Sequence, residues 1–191
     1  LHLGCGPRRV PGWLNVDLSG SDFDLDLASG SLPWPAASVQ TIAAQHVIEH
    51  LDFRSALLPL LRHCHRILAP GGQLWLSCPD IEKICRHYLA DGMHALIAKR
   101  KERMRKLRGV EFNLGGSTGL PDTPPTWYFN AQIFQNGEHL QHFDYPLLCW
   151  TLQHAGFSNV RRVQECDLLA AHPEFPPRED DDHSLAVLAI R

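Results

Sequence analysis

The sequence has no long apolar run. Its apolar stretches, such as residues 57–61 and 185–190, are short, whereas a helix that crosses a membrane needs about 18 or more apolar residues. The chain opens on Leu-His-Leu-Gly, without the basic and apolar regions of a signal peptide. We therefore expect a soluble, cytoplasmic protein with no membrane span.

Cysteine motifs are also missing. The six cysteines are scattered, and none of them forms the Cys-x-x-Cys pair that is found in zinc ribbons and redox centres. Scattered thiols in a chain of this size are typical of a reducing cytosol. His63 and His65 flank Cys64 in a predicted helix, where adjacent positions face different directions. We therefore expect no metal site.

Length and charge indicate the organisation. A chain of 191 residues, of which 44% are hydrophobic, has the size of one globular domain. The net charge is −3, but residues 99–108 include seven basic residues and residues 179–182 are all acidic. We interpret the basic run first as a solvated helix face; its functional alternative is the attraction of anions such as nucleotide sugars or lipid phosphates, while the negative net charge and the lack of an appended binding module argue against RNA. The oligomeric state stays open.

Strand-like and helix-like patterns alternate along the chain. Strands are predicted at residues 1–3, 13–17, 38–45, 73–78, 159–163 and 185–190. The alternation predicts an α/β fold with a Rossmann-like, doubly wound, mostly parallel sheet, helices on both faces and an antiparallel last strand. Residues 7–12 are too few for a full crossover helix, so we expect that helix to be shortened to about one turn.

Several local signals refine this outline. Because only three residues precede Gly4, we expect the first strand to begin upstream of Leu1. Ser55 is the predicted N-cap of a helix that ends before a Pro-Gly-Gly sequence. Residues 81–107 are predicted to be helical with a break near a glycine, and residues 115–125 form a loop. We interpret residues 81–145 of a single domain, residues 1–191, as an insertion that forms a lid over the acceptor site.

A glycine-rich turn, Gly4-Cys5-Gly6, follows the first predicted strand. Glycines let a backbone approach a ligand closely. Asp17 ends the second strand, where an acid accepts hydrogen bonds from ribose hydroxyls in nucleotide sites. In the G-x-G-x-x-G motif of dinucleotide sites the last position is glycine, whereas Arg9 occupies it here, which disfavours NAD.

Five motifs follow one another over the first 72 residues: Leu-His-Leu-Gly-Cys-Gly at 1–6, Leu-Asn-Val-Asp at 14–17, Asp-Leu at 26–27 with Leu-Pro-Trp-Pro at 32–35, His-Val-Ile-Glu-His-Leu at 46–51, and Arg-Ile-Leu-Ala-Pro-Gly-Gly at 66–72. In this order they resemble class I S-adenosylmethionine-dependent methyltransferases of the ubiquinone-biosynthesis type. The resemblance is closest to small predicted methyltransferases associated with bacterial glycan synthesis.

The resemblance implies S-adenosyl-L-methionine as the cofactor. It also implies methyl transfer to an oxygen or nitrogen atom of a small-molecule acceptor, such as a sugar, a glycan precursor or another anionic metabolite. The glycine-rich turn would lie under the methionine part, Asp17 would bind the ribose, and His46 would lie near the transferred methyl group. The residues implied for cofactor binding are Gly4, Cys5, Gly6, Asp17, Leu18, Asp26, Leu27 and His46.

Three positions depart from the usual pattern of this family. His2 stands where an acid is common, Arg8 replaces a third glycine, and Gln40 replaces an acid before the fourth strand. These departures permit a second hypothesis, in which the chain is a Rossmann-like binding or scaffold protein that has no catalytic activity.

Residues 46–50 also match the H-x-x-E-H pattern of zinc peptidases. In those enzymes two histidines, one helical turn apart, bind the metal. That chemistry needs both histidines in one helix, whereas His46 follows a predicted strand. The methyltransferase interpretation explains the same residues together with their neighbours, so we prefer it.

Methyl transfer from a sulfonium depends mainly on alignment, but an acceptor that carries a proton benefits from a base. The candidate catalytic residues are His46, Glu49 and His142, with His139 as a further candidate. Aromatic side chains either line an acceptor pocket or pack on the core; they are Trp127, Tyr128, Phe129 and Phe143.

Overall fold

The computed structural model describes residues 1–114 and 118–191, and its main feature is one sheet of seven strands. The strands are β1 (His2–Leu3), β2 (Asn15–Asp17), β3 (Phe23–Asp24), β4 (Val39–Gln45), β5 (Leu68–Pro79), β6 (Ser158–Val163) and β7 (Ser184–Ile190). Their order is β3-β2-β1-β4-β5-β7-β6. Strands β1 to β5 pair in parallel, and β7 is antiparallel to both of its neighbours. The predicted fold class is confirmed.

α-Helices connect the strands from β4 to β7. They are α1 (Leu58–Ile67), α2 (Ile81–Asp91), α3 (His94–Arg108), α4 (Trp127–Phe134), α5 (Tyr145–His154) and α6 (Glu165–Ala171). The predicted break between α2 and α3 lies at Gly92, which adopts a left-handed conformation with φ 61°. Within the described ranges, no helix is both long and apolar enough to span a bilayer.

The connection between β1 and β2 differs from the prediction. It contains no helical turn; two backbone hydrogen bonds, Arg8 to Cys5 and Trp13 to Val10, form turns instead. Pro7 and Pro11 supply no backbone N–H, and proline fixes φ near −65°. Two prolines in so short a link therefore favour turns over even a single turn of helix.

The start of the first helix also differs from the prediction. Asp52, and not Ser55, is the capping residue: its carboxylate accepts hydrogen bonds from the backbone N–H groups of Arg54 at 3.1 Å and Ser55 at 2.8 Å. The Ser55 hydroxyl itself donates to the same carboxylate at 2.6 Å. A π-helical turn, Phe53–Leu57, then leads into α1. Because the carboxylate lies three residues earlier, the chain turns helical before Ser55.

We expect the Asp52→Ala variant to lose about 1 kcal/mol of unfolding free energy, since two N–H groups at the helix start lose their acceptor. Urea denaturation followed by circular dichroism measures the loss. Ser55→Ala is the matched control, because it removes one donor and leaves the cap in place. A larger loss in Ser55→Ala than in Asp52→Ala would contradict this assignment.

Hydrophobic clusters cover both faces of the sheet. Ile42 and Leu74 pack with the apolar residues of α1 and α5 on one face. Ala43 and Trp75, one position along each strand, pack with Leu168 of α6 on the other face. This alternation follows from the two-residue period of a strand. The parallel strands therefore have helices on both sides, and their carboxyl ends meet at one edge.

Residues 81–145 contain a third cluster of their own, formed by α2, α3 and α4 around Ile84, Met93 and Tyr128. Tyr128 is buried there, and Phe143 is buried in the cluster beneath the sheet. Both aromatic side chains therefore pack on the core and do not form an acceptor pocket. The lid function of this region stays a prediction, and residues 115–117 of the predicted loop lie outside the described residues.

The two oppositely charged runs of the sequence pack against each other. From α3, Arg103 donates a hydrogen bond to the Glu179 carbonyl at 3.1 Å and lies 3.8 Å from the Asp182 carboxylate. Lys106 pairs with the Glu179 carboxylate at 2.5 Å. Part of the basic run is therefore engaged within the protein.

Candidate cofactor site

A cavity of about 310 Å³ opens at the carboxyl ends of β1, β2 and β4. In open α/β sheets this edge is where ligands bind, and the volume falls in the usual range for ligand sites. The lining residues lie at or just after the ends of β1, β2, β3 and β4: Gly4, Asp17, Leu18, Leu25, Asp26, Leu27, Ala28, His46, Val47, His50 and Leu51. Six of the eight predicted cofactor residues are among them, and Cys5 and Gly6 are not.

The glycine-rich turn has a different role at each residue. Gly4 has φ +63°, and a Cβ at this position would lie 2.2 Å from a methyl carbon of Val47, so only glycine fits. The Cys5 side chain is buried in the protein, and burial raises the pKa of its thiol. Gly6 has φ +50° with open space around the position of a Cβ, and it is exposed. Gly4 is therefore the residue of this turn that lines the cavity, while the Cys5 thiol is buried.

Asp17 is held in place by backbone donors. One carboxylate oxygen accepts the Gly6 N–H at 2.7 Å, and the other accepts the Leu18 N–H at 2.7 Å. The carboxylate is thereby fixed at the end of β2, beside the cavity. Each oxygen keeps a further lone pair, so the group is able to accept hydrogen bonds from a pair of ligand hydroxyls.

Leu18, Leu25 and Leu27 form an apolar part of the cavity wall. Asp26 caps a 3-10 helix, Leu27–Ser29, by accepting the Ala28 N–H at 2.8 Å. Leu27 is buried against the core, while Leu18 is 68% exposed at the cavity. These apolar side chains provide contact surface for a flat ring in the cavity.

His46 occupies a strained position just after β4. Its backbone has φ 58°. Its Nδ1 lies 3.2 Å from the Glu49 carboxylate, and its Nε2 lies 3.3 Å from the Asp180 carboxylate and 3.0 Å from the Ser184 hydroxyl. Burial opposes protonation, but the two carboxylates outweigh it and raise the pKa of His46. The imidazole is therefore stabilised as a cation at the cavity wall.

The other catalytic candidates lie behind this wall. Glu49 is 1% exposed, and its backbone carbonyl accepts the N–H groups of Leu140 at 2.8 Å and Gln141 at 3.0 Å. These bonds bring His139 and His142 toward Glu49. Burial lowers the pKa of His142, which favours the neutral form that can act as a base. The structure thus groups Glu49, His139 and His142, although none of them lines the cavity.

Residues that depart from the family pattern have structural roles away from the cavity. His2 contacts the Asn15 amide oxygen at 3.1 Å and packs edge-on against a phenylalanine. Arg8 donates hydrogen bonds to the Pro176 and Pro177 carbonyls, both at 2.9 Å. Gln40 is exposed on β4. The three positions do not obstruct the cavity, because none of them lines it.

The H-x-x-E-H sequence does not form the helix of a zinc peptidase. His46 is left-handed at the end of a strand, and only Ile48–His50 is helical, as a short 3-10 turn. This confirms the sequence argument that the two histidines do not share one helix. Sequence reasoning missed His50 as a residue of the cavity, although it is part of the motif at residues 46–51.

Comparisons with known proteins agree with this geometry. Residues 22–76 match a family of methyltransferase domains. No curated protein sequence matches the chain. Among solved structures, a SAM-dependent methyltransferase from Archaeoglobus fulgidus is similar with a TM-score of 0.52 and 13% identity, over 100% of this chain and 84% of that one.

Two further solved structures are similar. One is an S-adenosylmethionine-dependent methyltransferase from Mesorhizobium loti, with a TM-score of 0.50 and 17% identity over 100% of this chain and 89% of that one. The other, from Thermotoga maritima, is a possible histamine N-methyltransferase, with a TM-score of 0.50 and 16% identity over 99% and 80%. The chain therefore has the fold of S-adenosylmethionine-dependent methyltransferases, and residues 22–76 match a methyltransferase domain.

Proposed function

We propose that this chain is an S-adenosyl-L-methionine-dependent methyltransferase that acts on an oxygen or nitrogen atom of a small molecule. The observation that carries the proposal is the cavity at the carboxyl ends of β1, β2 and β4 in a methyltransferase fold. Its wall contains a carboxylate held by backbone hydrogen bonds, a glycine that a ligand can approach closely, and apolar side chains. These features suit a nucleoside joined to an amino acid.

Each wall residue has a role in this proposal. Asp17 binds the ribose hydroxyls, because its carboxylate is fixed beside the cavity with lone pairs to spare. Leu18 and Leu27 pack on the adenine, and Asp26 holds the short helix that carries Leu27. The turn at Gly4 allows the methionine part to approach the backbone. The bound cofactor supplies the electrophilic methyl group, and the protein aligns the acceptor with it.

The acceptor is proposed to be a small metabolite, such as a sugar or glycan precursor. An acceptor hydroxyl or protonated amine loses a proton, and the histidines grouped near Glu49 are suited to take it near neutral pH. Nucleic acid is not proposed as a partner. Basic residues of α3 are already engaged by Glu179 and Asp182, which supports their structural role.

Titration calorimetry tests the proposal with S-adenosyl-L-methionine and its demethylated product. We expect each to bind with a stoichiometry of one, because one cavity carries the predicted residues. A well-folded protein that binds neither compound would defeat the proposal and favour the hypothesis of an inactive scaffold. Circular dichroism of the same sample establishes that it is folded.

A further inference from the structure

We propose that Glu49, His50 and His139 form a binding site for a divalent transition-metal ion, with Zn²⁺ as the reference ion. One potential ligand atom from each residue lies within 4.8 Å of the other two. Two histidines and one carboxylate are the ligand set of many catalytic zinc and non-haem iron centres. The set differs from the H-x-x-E-H pair, because it uses His139 from a distant segment in place of His46.

Glu49 is a buried carboxylate that lacks hydrogen bonds. Its side chain is 1% exposed, and neither carboxylate oxygen has a hydrogen-bond partner among the described residues. Oε1 forms an ion pair with His46, whose Nδ1 lies 3.2 Å away, so Oε2 is the oxygen that has no partner among the described residues. A buried carboxylate is costly unless it is hydrogen-bonded or coordinates a metal. A cation bound between Glu49 and the two imidazoles satisfies its lone pairs.

The His50 and His139 imidazoles each contact a backbone carbonyl through Nδ1. His50 Nδ1 lies 3.1 Å from the Glu138 carbonyl, and His139 Nδ1 lies 3.0 Å from the Gln132 carbonyl. A carbonyl oxygen only accepts, so both Nδ1 atoms carry the hydrogen, and in the neutral ring each Nε2 keeps the lone pair that a metal ion requires. Metal-binding histidines show this arrangement, since a donated N–H orients the ring and fixes its tautomer.

Backbone hydrogen bonds bring the residues of the cluster together. Leu140 and Gln141 donate two backbone hydrogen bonds to the Glu49 carbonyl, which fixes the segment that carries His139. The rings of His50 and His139 meet edge to face, with centroids 5.0 Å apart. Bonds of about 2.1 Å place two ligand atoms at most about 4.2 Å apart, so a small side-chain adjustment completes the set.

The position of the cluster indicates what the ion would do. His50 also lines the cofactor cavity, so an ion bound by His50 would lie next to the wall of that cavity. There a metal ion would bind an acceptor hydroxyl and lower its pKa, and His142, which is outside the ligand set, would take the proton before methyl transfer. This role rests on the proposed function, whereas metal binding itself does not.

The experiment is calorimetric titration of Zn²⁺ into the full chain after treatment with a chelator and its removal by dialysis. We expect one equivalent to bind to the wild type. We expect His139→Ala and Glu49→Gln to bind at least tenfold more weakly. His154→Ala is the matched control, because His154 is exposed and its Nδ1 makes the same kind of contact, to the Trp150 carbonyl at 2.8 Å. It should bind like the wild type.

Co²⁺ absorption in the visible range is the second measurement, since histidine coordination gives ligand-field bands that adventitious surface binding lacks. Should Glu49→Gln fail to fold by circular dichroism, His50→Ala and His139→Ala decide the question. A wild type that binds no Zn²⁺, or a folded His139→Ala that binds as tightly as the wild type, overturns the site. Zinc binding without S-adenosyl-L-methionine binding would defeat the proposed function and leave the metal site standing.

Discussion

Replacing Asp180 with alanine is expected to lower the free energy of unfolding by about 3–5 kcal/mol, the usual cost of removing one partner from a buried ion pair. The carboxylate is 6% exposed. It accepts a hydrogen bond from Arg178 Nε at 2.9 Å and lies 3.3 Å from His46 Nε2. Its removal takes the counter-charge from Arg178 and one of two counter-charges from His46, whose side chains are only 21% and 17% exposed, which is why the effect is large.

Other charged groups increase the effect. Arg8 and Arg103 line the same recess as Asp180; burial lowers the pKa of both guanidinium groups, and the Asp180 charge opposes that lowering. Asp180 is the one acidic residue in a recess lined mainly by arginines. The lining residues are Arg8, Arg100, Arg103, Met104, Leu107, Arg108, Arg178 and Asp180. The Asp180 carboxylate therefore lies among arginines from three segments, namely the link between β1 and β2, α3 and the loop before β7.

The pH dependence of this variant is a second readout of the same contact. Burial raises the pKa of Asp180, but His46 and Arg178 outweigh it and hold the pKa well below its usual range. Such a carboxylate contributes stability at neutral pH and down to about pH 5, and the contribution is lost as the pH falls below about 4. The difference between wild type and Asp180→Ala should therefore shrink below about pH 4.

Urea denaturation at a series of pH values measures both effects. Glu111→Ala is the control, because Glu111 forms an exposed ion pair with Arg105 at 3.3 Å. An exposed pair contributes about 0–1 kcal/mol, so this variant should change stability little. If Asp180→Ala and Glu111→Ala lost the same free energy of unfolding at pH 7, the Asp180 pair would not be a buried, desolvated contact.

We expect the Asp17→Ala variant to bind S-adenosyl-L-methionine about 10- to 150-fold more weakly, which corresponds to about 1.5–3 kcal/mol for hydrogen bonds to a charged group. The reason is that a fixed carboxylate accepts the ribose hydroxyls without reorganisation. Its two oxygens are already oriented by the N–H groups of Gly6 and Leu18. Titration calorimetry gives the two dissociation constants.

Asp24→Ala is the matched control for this measurement. Asp24 ends the neighbouring strand β3 and accepts hydrogen bonds from the Ser21 N–H at 3.0 Å and the Ser21 hydroxyl at 2.8 Å, and it does not line the cavity. Its replacement should leave affinity unchanged. Unchanged affinity in Asp17→Ala would instead remove Asp17 from the site, provided that circular dichroism shows a folded variant.

Local sequence signals predicted most of the sheet. The strands β4, β5, β6 and β7 were expected from apolar patterns, and turn chemistry marked the ends of several helices. The short elements were missed: β3 has two residues, α6 has seven, and α4 is largely aromatic. Elements of this size carry too few residues for a periodic pattern, so their conformation depends on the contacts that surround them.

The cavity was predicted only in part. The order of the motifs indicated Asp17 and Asp26, because each follows a strand or turn that ends at the same edge of the sheet. Cys5 was also predicted, and the structure turns its side chain into the core. The direction of a side chain within a tight turn follows from backbone angles that a glycine neighbour leaves open.

The sequence by itself determined the fold class, the glycine-rich turn and the acid at the end of β2, because strand period, glycine freedom and turn chemistry act over a few residues. Only the tertiary structure decided that Glu49 meets His139, that His46 lies between Glu49 and Asp180, and that the basic α3 pairs with the acidic run. Apart from His46 and Glu49, these partners are distant in the chain, so their contacts depend on how residues 81–145 and the loop before β7 pack on the sheet.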